Sequence, residues 1–358
     1  MNSGNGRADH EGLVAERRFT RNPCVTIIHC GEDEIVVKHG SRSRFTKNVR
    51  DDGRTRLLGR ILRNVVPPVS LGELEQRQLL RPEEREDAAN LVTYLLEQGI
   101  LVEPDQDPTS VYLRTILGAQ TPLAGKSVAM LGAGHLGSRI ASDLAGVGVG
   151  RLWLMDGRRA ETGEPYVESL AQALEGRTHG AVEVAREGLE DEAAVAAVIG
   201  EVDFAVAALE HFSARTFHLI NSVALAARKP WISVYIDGSE ALVGPIYVPG
   251  ESCCYNEFEI QHEATLGGMK DDYLIYKETL DMAPQLTEPP VLPPYLSVAS
   301  GLAVSGVMRF LLSGRSFLVG RANRFDFERL SIDYEEVLRL PRCPACALSR
   351  PGYRALFM

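Results

Sequence analysis

Residues 127–156 read SVAMLGAGHLGSRIASDLAGVGVGRLWLMD, with Gly132, Gly134 and Gly137 in the spacing G-x-G-x-x-G. The first glycine lets a chain turn sharply, the second lets backbone approach a phosphate, and the third lets a helix pack closely on a strand. Free N–H groups at the start of such a helix favour an anion. Asp156 stands about twenty residues on, where a carboxylate accepts both ribose hydroxyls. Strand, glycine turn, helix, strand and acid together read as a nucleotide-binding βαβ unit. The competing reading is a sheet whose glycines serve only packing. A second signal is electrostatic. Lys38, Arg42, Arg44, Lys47, Arg50, Arg54, Arg56, Arg60 and Arg63 crowd one stretch, opposed within it by Asp51 and Asp52. In a chain of net charge -10 this is a local positive field, suited to an anionic partner or simply solvated. The cysteines supply the third signal: Cys253 and Cys254 are adjacent, and Cys343-Pro-Ala-Cys346 lies near the end.

The elements that must position these residues fall into more than one domain, since 358 residues with 45% hydrophobic content can build more than one core. The acidic balance argues against general affinity for nucleic acid or membrane. No apolar run approaches a membrane span. Residues 1–21 read as a flexible polar tail, neither signal nor transit peptide. Six cysteines over this length do not form a secreted disulfide framework, and a cytoplasmic protein is expected.

Residues 22–103 read as a small winged-helix domain. Val25 to His29 and Glu34 to Lys38 are strands, and Arg44 to Lys47 a third. Leu57, Leu58, Ile61 and Leu62 recur at helical spacing, Ser70 with Glu73 caps a second helix, and Pro82 opens a third. That third helix carries Glu83, Glu84, Glu86, Asp87 and Glu97, which phosphate would repel, so DNA reading is disfavoured. Residues 104–126 form an acidic linker and a helix. From 127 to 358, strands and helices alternate as in a largely parallel sheet. Residues 257–292 read as a long flexible loop, suited to a lid or a partner-binding element.

The order of three strands, three helices and the ending EQGILVE (97–103) is similar to the PqqD-like leader-peptide recognition domain of ribosomal peptide natural-product enzymes. The resemblance implies that a leader peptide adds as an extra strand and packs on the third helix. Arg44, Phe45 and Thr46 would line one side of that groove, with Leu91, Tyr94 and Leu95 on the other. For Leu91 and Leu95 the alternative is core packing.

The span from about 110 to 350 resembles the ThiF/MoeB, ubiquitin-activating-enzyme-like superfamily. It does so through GAGHLGS with Asp156, EHFSARTFHLIN (Glu210 to Asn221), VGPIYVPGESCCY (Val243 to Tyr255) and LPRCPAC (Leu340 to Cys346). The implied fold is α/β, a winged helix joined to a Rossmann-like domain with a mostly parallel sheet. Active members form an acyl-adenylate from ATP and Mg²⁺, with Gly132, Gly134, Gly137, Asp156 and Glu210 as the nucleotide-binding set here. They also use an arginine of an S-N-L-x-R-Q-like motif and a following lysine. Residues 157–180 carry neither motif and no lysine, leaving Arg158 and Arg159 as substitutes. The superfamily's structural zinc implies Cys254, Cys343 and Cys346 as ligands, with Glu257 or Cys253 as the fourth. The combination resembles leader-binding partners of YcaO-type cyclodehydratases, dimeric and without nucleic acid or membrane partners. The alternative is an ATP-dependent enzyme that activates a peptide carboxylate.

Overall fold

The computed structural model describes residues 16–119, 121–159, 163–177, 180–282 and 291–347. The chain divides into two units, Met1–Ala119 and Gln120–Met358.

The first unit holds strands β1 (Thr20–Arg21), β2 (Thr26–His29), β3 (Glu34–Lys38) and β4 (Thr46–Arg50), then helices α1 (Leu57–Arg63), α2 (Leu71–Gln76) and α3 (Arg85–Glu97). Strand β5 (Leu101–Val102) and helix α4 (Pro108–Leu117) follow. β2, β3 and β4 form an antiparallel sheet with β4 at one edge. α2 starts on a reciprocal cap: the Ser70 hydroxyl accepts the Glu73 N–H, and the Glu73 carboxylate accepts the Ser70 N–H at 3.0 Å. Ile35, Val37, Leu58, Leu62, Val92 and Leu95 fill the core.

Two expectations change. The tail was expected to run to residue 21, yet Phe19 is fully buried and exchanges backbone hydrogen bonds with Val69, while β1 pairs with β5. One aromatic side chain with a core to enter outweighs the polar character around it; residues 1–15 lie outside the described residues. The third strand also sits two residues later than Arg44 to Lys47, because Ser43 accepts the Phe45 N–H and holds the preceding turn.

The second unit is built on eight strands in the order β13-β12-β11-β10-β9-β6-β7-β8. They are β6 (Ser127–Leu131), β7 (Arg151–Met155), β8 (Ala181–Ala185), β9 (Phe204–Leu209), β10 (Trp231–Asp237), β11 (Glu240–Tyr247), β12 (Arg321–Asp326) and β13 (Ser331–Glu336). β8, β7, β6, β9 and β10 run parallel, and β11, β12 and β13 continue antiparallel. Helices α5 (His135–Gly146), α6 (Tyr166–Leu174), α7 (Glu192–Gly200) and α8 (Ala214–Ala227) connect the parallel strands. All six positions of β9 are buried, as a strand covered on both faces requires. The chain winds from β6 outward to β8, then restarts at β9 on the other side of β6. The carboxyl ends of β6 and β9 therefore flank a topological switch point, where open α/β sheets bind ligands.

Residues 257–292, expected as a loop, instead carry helices α9 (Tyr255–Thr265) and α10 (Lys270–Met282). Tyr273 and Leu280 pack on the core, and Lys277 pairs with Glu259 and Glu263 across the two helices. Residues 283–290 lie outside the described residues. Helix α11 (Pro293–Ser313) is long and apolar enough to cross a membrane, with mean hydropathy 1.5, contrary to the expectation of no such run. Here 44% of that window is buried, and Ser300 donates to Asp143 of α5 at 2.6 Å.

Candidate functional site

Gly132 follows β6 at φ 102°, in the left-handed region, and a Cβ there would collide with the Ala208 carbonyl. Gly137 lies against the Gly132 carbonyl, so α5 packs directly on the turn. Both glycines thus have a steric reason. At Gly134 the obstacle is different: a Cβ would meet the Glu210 carboxylate. Glu210 follows β9 and is 1% exposed. Its Oε1 accepts the N–H of Leu136, in the first turn of α5, at 2.8 Å. A side chain of this protein therefore lies where helix geometry favours a bound anion.

Asp156 follows β7, 2% exposed, and accepts the Ala133 N–H at 2.7 Å and the Arg158 N–H at 2.9 Å. The Arg158 guanidinium closes on the same carboxylate, with Nη2 2.8 Å from Oδ2, and reaches Glu210 Oε2 at 3.4 Å. It also lies over the Tyr166 ring, 5.6 Å from the centroid. Burial alone would raise the Asp156 carboxyl, but hydrogen bonding and charge from Arg158, with the Ala133 N–H, hold it below the ordinary 3.8. Among the described residues these two buried carboxylates share one cation, Arg158, which leaves the group with net negative charge. Of the sequence candidates, Gly132, Gly134, Gly137, Asp156, Arg158 and Glu210 come together. Arg159 does not: its guanidinium donates to the Gly163 carbonyl, within its own loop. As it stands, the cluster does not fit a triphosphate at the α5 N-terminus, because Glu210 holds that place and its charge opposes phosphate.

Cys254, Glu257, Cys343 and Cys346 bring one ligand atom each to within 4.8 Å of one another, all four buried. The Cys254 and Cys343 sulfurs are 3.7 Å apart. Zinc–sulfur bonds of about 2.3 Å give a tetrahedron edge of about 3.8 Å, so the spacing fits zinc. The fourth position belongs to Glu257. Cys253 is buried outside the group, its thiol pushed up to about 12 by burial and then by the Glu257 charge. The reason is local: Cys254 caps α9, and Glu257, three residues on, folds back to accept the Cys254 N–H at 2.9 Å. Glu257 also accepts the Leu340 N–H, which draws in the segment carrying Cys343. Burial raises the Cys254 thiol; at Cys343 burial also raises the thiol, but N–H donors from Cys346 and Ala345 and the Asn256 amide outweigh it and bring it below the ordinary value. Asn221, from the EHFSARTFHLIN motif, accepts the Tyr255 N–H at 3.0 Å and ties α8 to α9.

In the first unit, Asp51 donates its N–H to the Asp33 carbonyl, and His39 donates to Phe45. Odd-numbered residues of β4 thus hydrogen-bond to β3, and Thr46, Asn48 and Arg50 direct N–H and C=O groups to the other edge, which pairs with no strand among the described residues. Arg44 and Thr46 are exposed, Phe45 is half-buried under Lys47, and Lys47 donates to the Gln98 carbonyl at the end of α3. On α3, Tyr94 is 43% exposed and Leu91 half-buried. Leu95 is 0% exposed, so it is a core residue and presents no surface to a ligand. The positive field divides as well. Arg60 pairs with Glu84 and Arg63 with Glu32, whereas Arg42, Arg44, Arg54 and Arg56 form no ion pair among the described residues. Of the outward set on β4, Thr46 is among the residues expected from sequence, whereas Asn48 and Arg50 are not; the two-residue strand period anchored on buried Val49 leads to them.

The ThiF family matches residues 112–347, and the chain belongs to that family. The solved structures that share its fold include three of MccB. E. coli MccB is 18% identical, covering 95% of this chain and 100% of that chain, with a TM-score of 0.61. E. coli MccB with ATP is 20% identical, covering 92% and 99%, with a TM-score of 0.59. The microcin C7 biosynthetic enzyme MccB in complex with N-formylated MccA is 19% identical, covering 92% and 99%, with a TM-score of 0.61. No curated protein matches the chain.

Proposed function

We propose that this ThiF-family chain captures the leader of a ribosomally made precursor peptide on the free edge of β4 and presents the remainder to a YcaO-type cyclodehydratase. The observation that carries the reading is the outward row of Thr46, Asn48 and Arg50 backbone groups beside unpaired arginines. Backbone pairing supplies affinity, and Tyr94 and Leu91 on α3 offer side-chain contacts. The MccB complex with N-formylated MccA spans nearly the same length and supports a ligand of that kind. The YcaO partner, a homodimer and a cytoplasmic setting follow from the resemblance of the two-unit arrangement to leader-binding partner proteins. The Cys254, Glu257, Cys343 and Cys346 set would hold structural zinc, fastening the start of α9 to residues 343–346.

The second reading is ATP-dependent activation of a peptide carboxylate, favoured by the fold shared with MccB solved with ATP. Bound ATP would supply the adenylate that makes a carboxylate electrophilic. Glu210 on the α5 N–H groups and the absence of lysine from residues 157–180 weigh against it.

Asn48→Pro is the deciding variant. It removes an outward N–H without touching the β3–β4 ladder, so the fold survives. The reading expects the parent to bind a precursor peptide without releasing pyrophosphate, and the proline variant to lose that binding. Unchanged binding in Asn48→Pro, or pyrophosphate release on adding peptide and ATP, would overturn it.

A further inference from the structure

The loop after β4 holds two non-glycine residues in a strained backbone conformation. Arg54 and Arg56 have φ of 51° and 61°, the left-handed region where a side chain crowds the backbone. Each such residue is strained relative to the ordinary helical or extended basins, and glycine would avoid the strain. The surroundings impose the conformation. Asp51 accepts the Gly53 N–H at 3.0 Å and the Thr55 N–H at 3.1 Å, and its carboxylate also takes the Thr55 hydroxyl. Asp33 accepts the Arg56 N–H at 2.6 Å, fixing the loop to the β2–β3 turn. The Asp51 and Asp33 carboxylates are thus engaged with backbone, while Asp52 is exposed within the loop. The two arginine side chains are exposed and form no ion pair among the described residues. Arg50, the last residue of β4, is 3.9 Å from Asp52, a loose contact.

We infer that residues 51–56 are a pre-formed cationic clamp, with Arg54 and Arg56 as specificity residues for acidic side chains flanking a peptide strand on the β4 edge. The inference rests on the leader-binding reading and adds where the acids lie. The clamp stands just beyond the Arg50 end of the strand, so acids bordering the paired segment meet it, while acids within that segment do not. A rigid loop holds the guanidinium groups in place beforehand, so little ordering entropy is lost on binding. Charge complementarity selects the occupant: Arg54 and Arg56 form no ion pair among the described residues, although the Arg56 charge also acts on Glu32, and exposed guanidinium groups attract carboxylates from outside.

The test uses the full chain and the fluorescein-labelled synthetic peptide Glu-Glu-Val-Thr-Val-Thr-Val-Glu-Glu, with its Gln-for-Glu counterpart, by fluorescence anisotropy at low salt. Acids at both ends make the probe independent of strand direction. Two exposed charge pairs predict roughly five- to tenfold tighter binding of the acidic probe. In Arg54→Gly/Arg56→Gly the two probes bind alike, and Tm is no lower than the parent's because glycine accepts both conformations. A double variant that keeps the acidic preference, or a parent without one, overturns the clamp. Asn48→Pro separates the layers: loss of both probes there, with an unchanged preference in the glycine variant, sinks the clamp and leaves the edge reading intact. If neither probe binds the parent, both fail.

Discussion

Glu210 accepts the Leu136 N–H at 2.8 Å, so the first turn of α5 is capped by a carboxylate from the neighbouring parallel strand. Arg158 holds that carboxylate and Asp156 together, leaving one cation between two buried acids. The arrangement is internally satisfied and electrostatically unwelcoming to phosphate.

Removing the cation should therefore be costly. Arg158→Ala leaves two buried carboxylates with no guanidinium, a loss of about 2–3 kcal/mol once its one-third exposure is allowed for. Calorimetry should show a lower Tm.

The same variant should change acid sensitivity in a defined direction. Asp156 sits below its ordinary 3.8, so its contribution is fully present above that pH and is lost as pH falls through the lower folded value. Without Arg158, burial dominates and raises that folded value, moving the acid-unfolding midpoint upward. A midpoint that stays in place would show that the ion pair does not set acid stability.

Glu210→Ala should open the anion seat. The parent is expected to show weak inorganic phosphate binding by calorimetry, and the variant measurably tighter binding, because the Leu136 N–H is released and one negative charge is gone. Neither should exchange pyrophosphate into ATP.

The cysteine cluster predicts about one zinc per chain by elemental analysis. Cys343→Ser should release the metal and lower Tm. Glu257→Cys should retain it, since a thiolate replaces a carboxylate within the same set. Cys253→Ser should leave metal content unchanged.

Leu95 and Tyr94 should separate stability from binding. Leu95→Ala empties a fully buried position and should cost about 2–5 kcal/mol. Tyr94→Ala, on the exposed face, should leave Tm within a degree or two and weaken peptide binding.

The parts of the fold legible in sequence were those fixed by local sterics. Gly132 and Gly137 carry backbone approaches that no side chain permits, and the Ser70–Glu73 cap needs only residues three apart. What escaped depends on distant partners. α9 and α10 are held by Lys277 bridging Glu259 and Glu263 and by His218 on Glu259, pairs no local period reveals. β12 and β13 went unforeseen because RANRFD and SIDYEE gain strand order only by laddering onto β11. The site was half legible: glycine spacing marked the turn, but the closure of Arg158 on Glu210 joins residues 52 apart in sequence.

An unpaired strand border invites any extended chain, including another copy of this protein. Laying two β4 borders side by side would bring the Arg44, Arg50, Arg54 and Arg56 groups of one copy against the like charges of the other, so repulsion opposes pairing through these borders. Added salt would weaken that repulsion and the attraction for acidic peptides together. In concentrated salt the protein should therefore self-associate more readily just as it loses its guest.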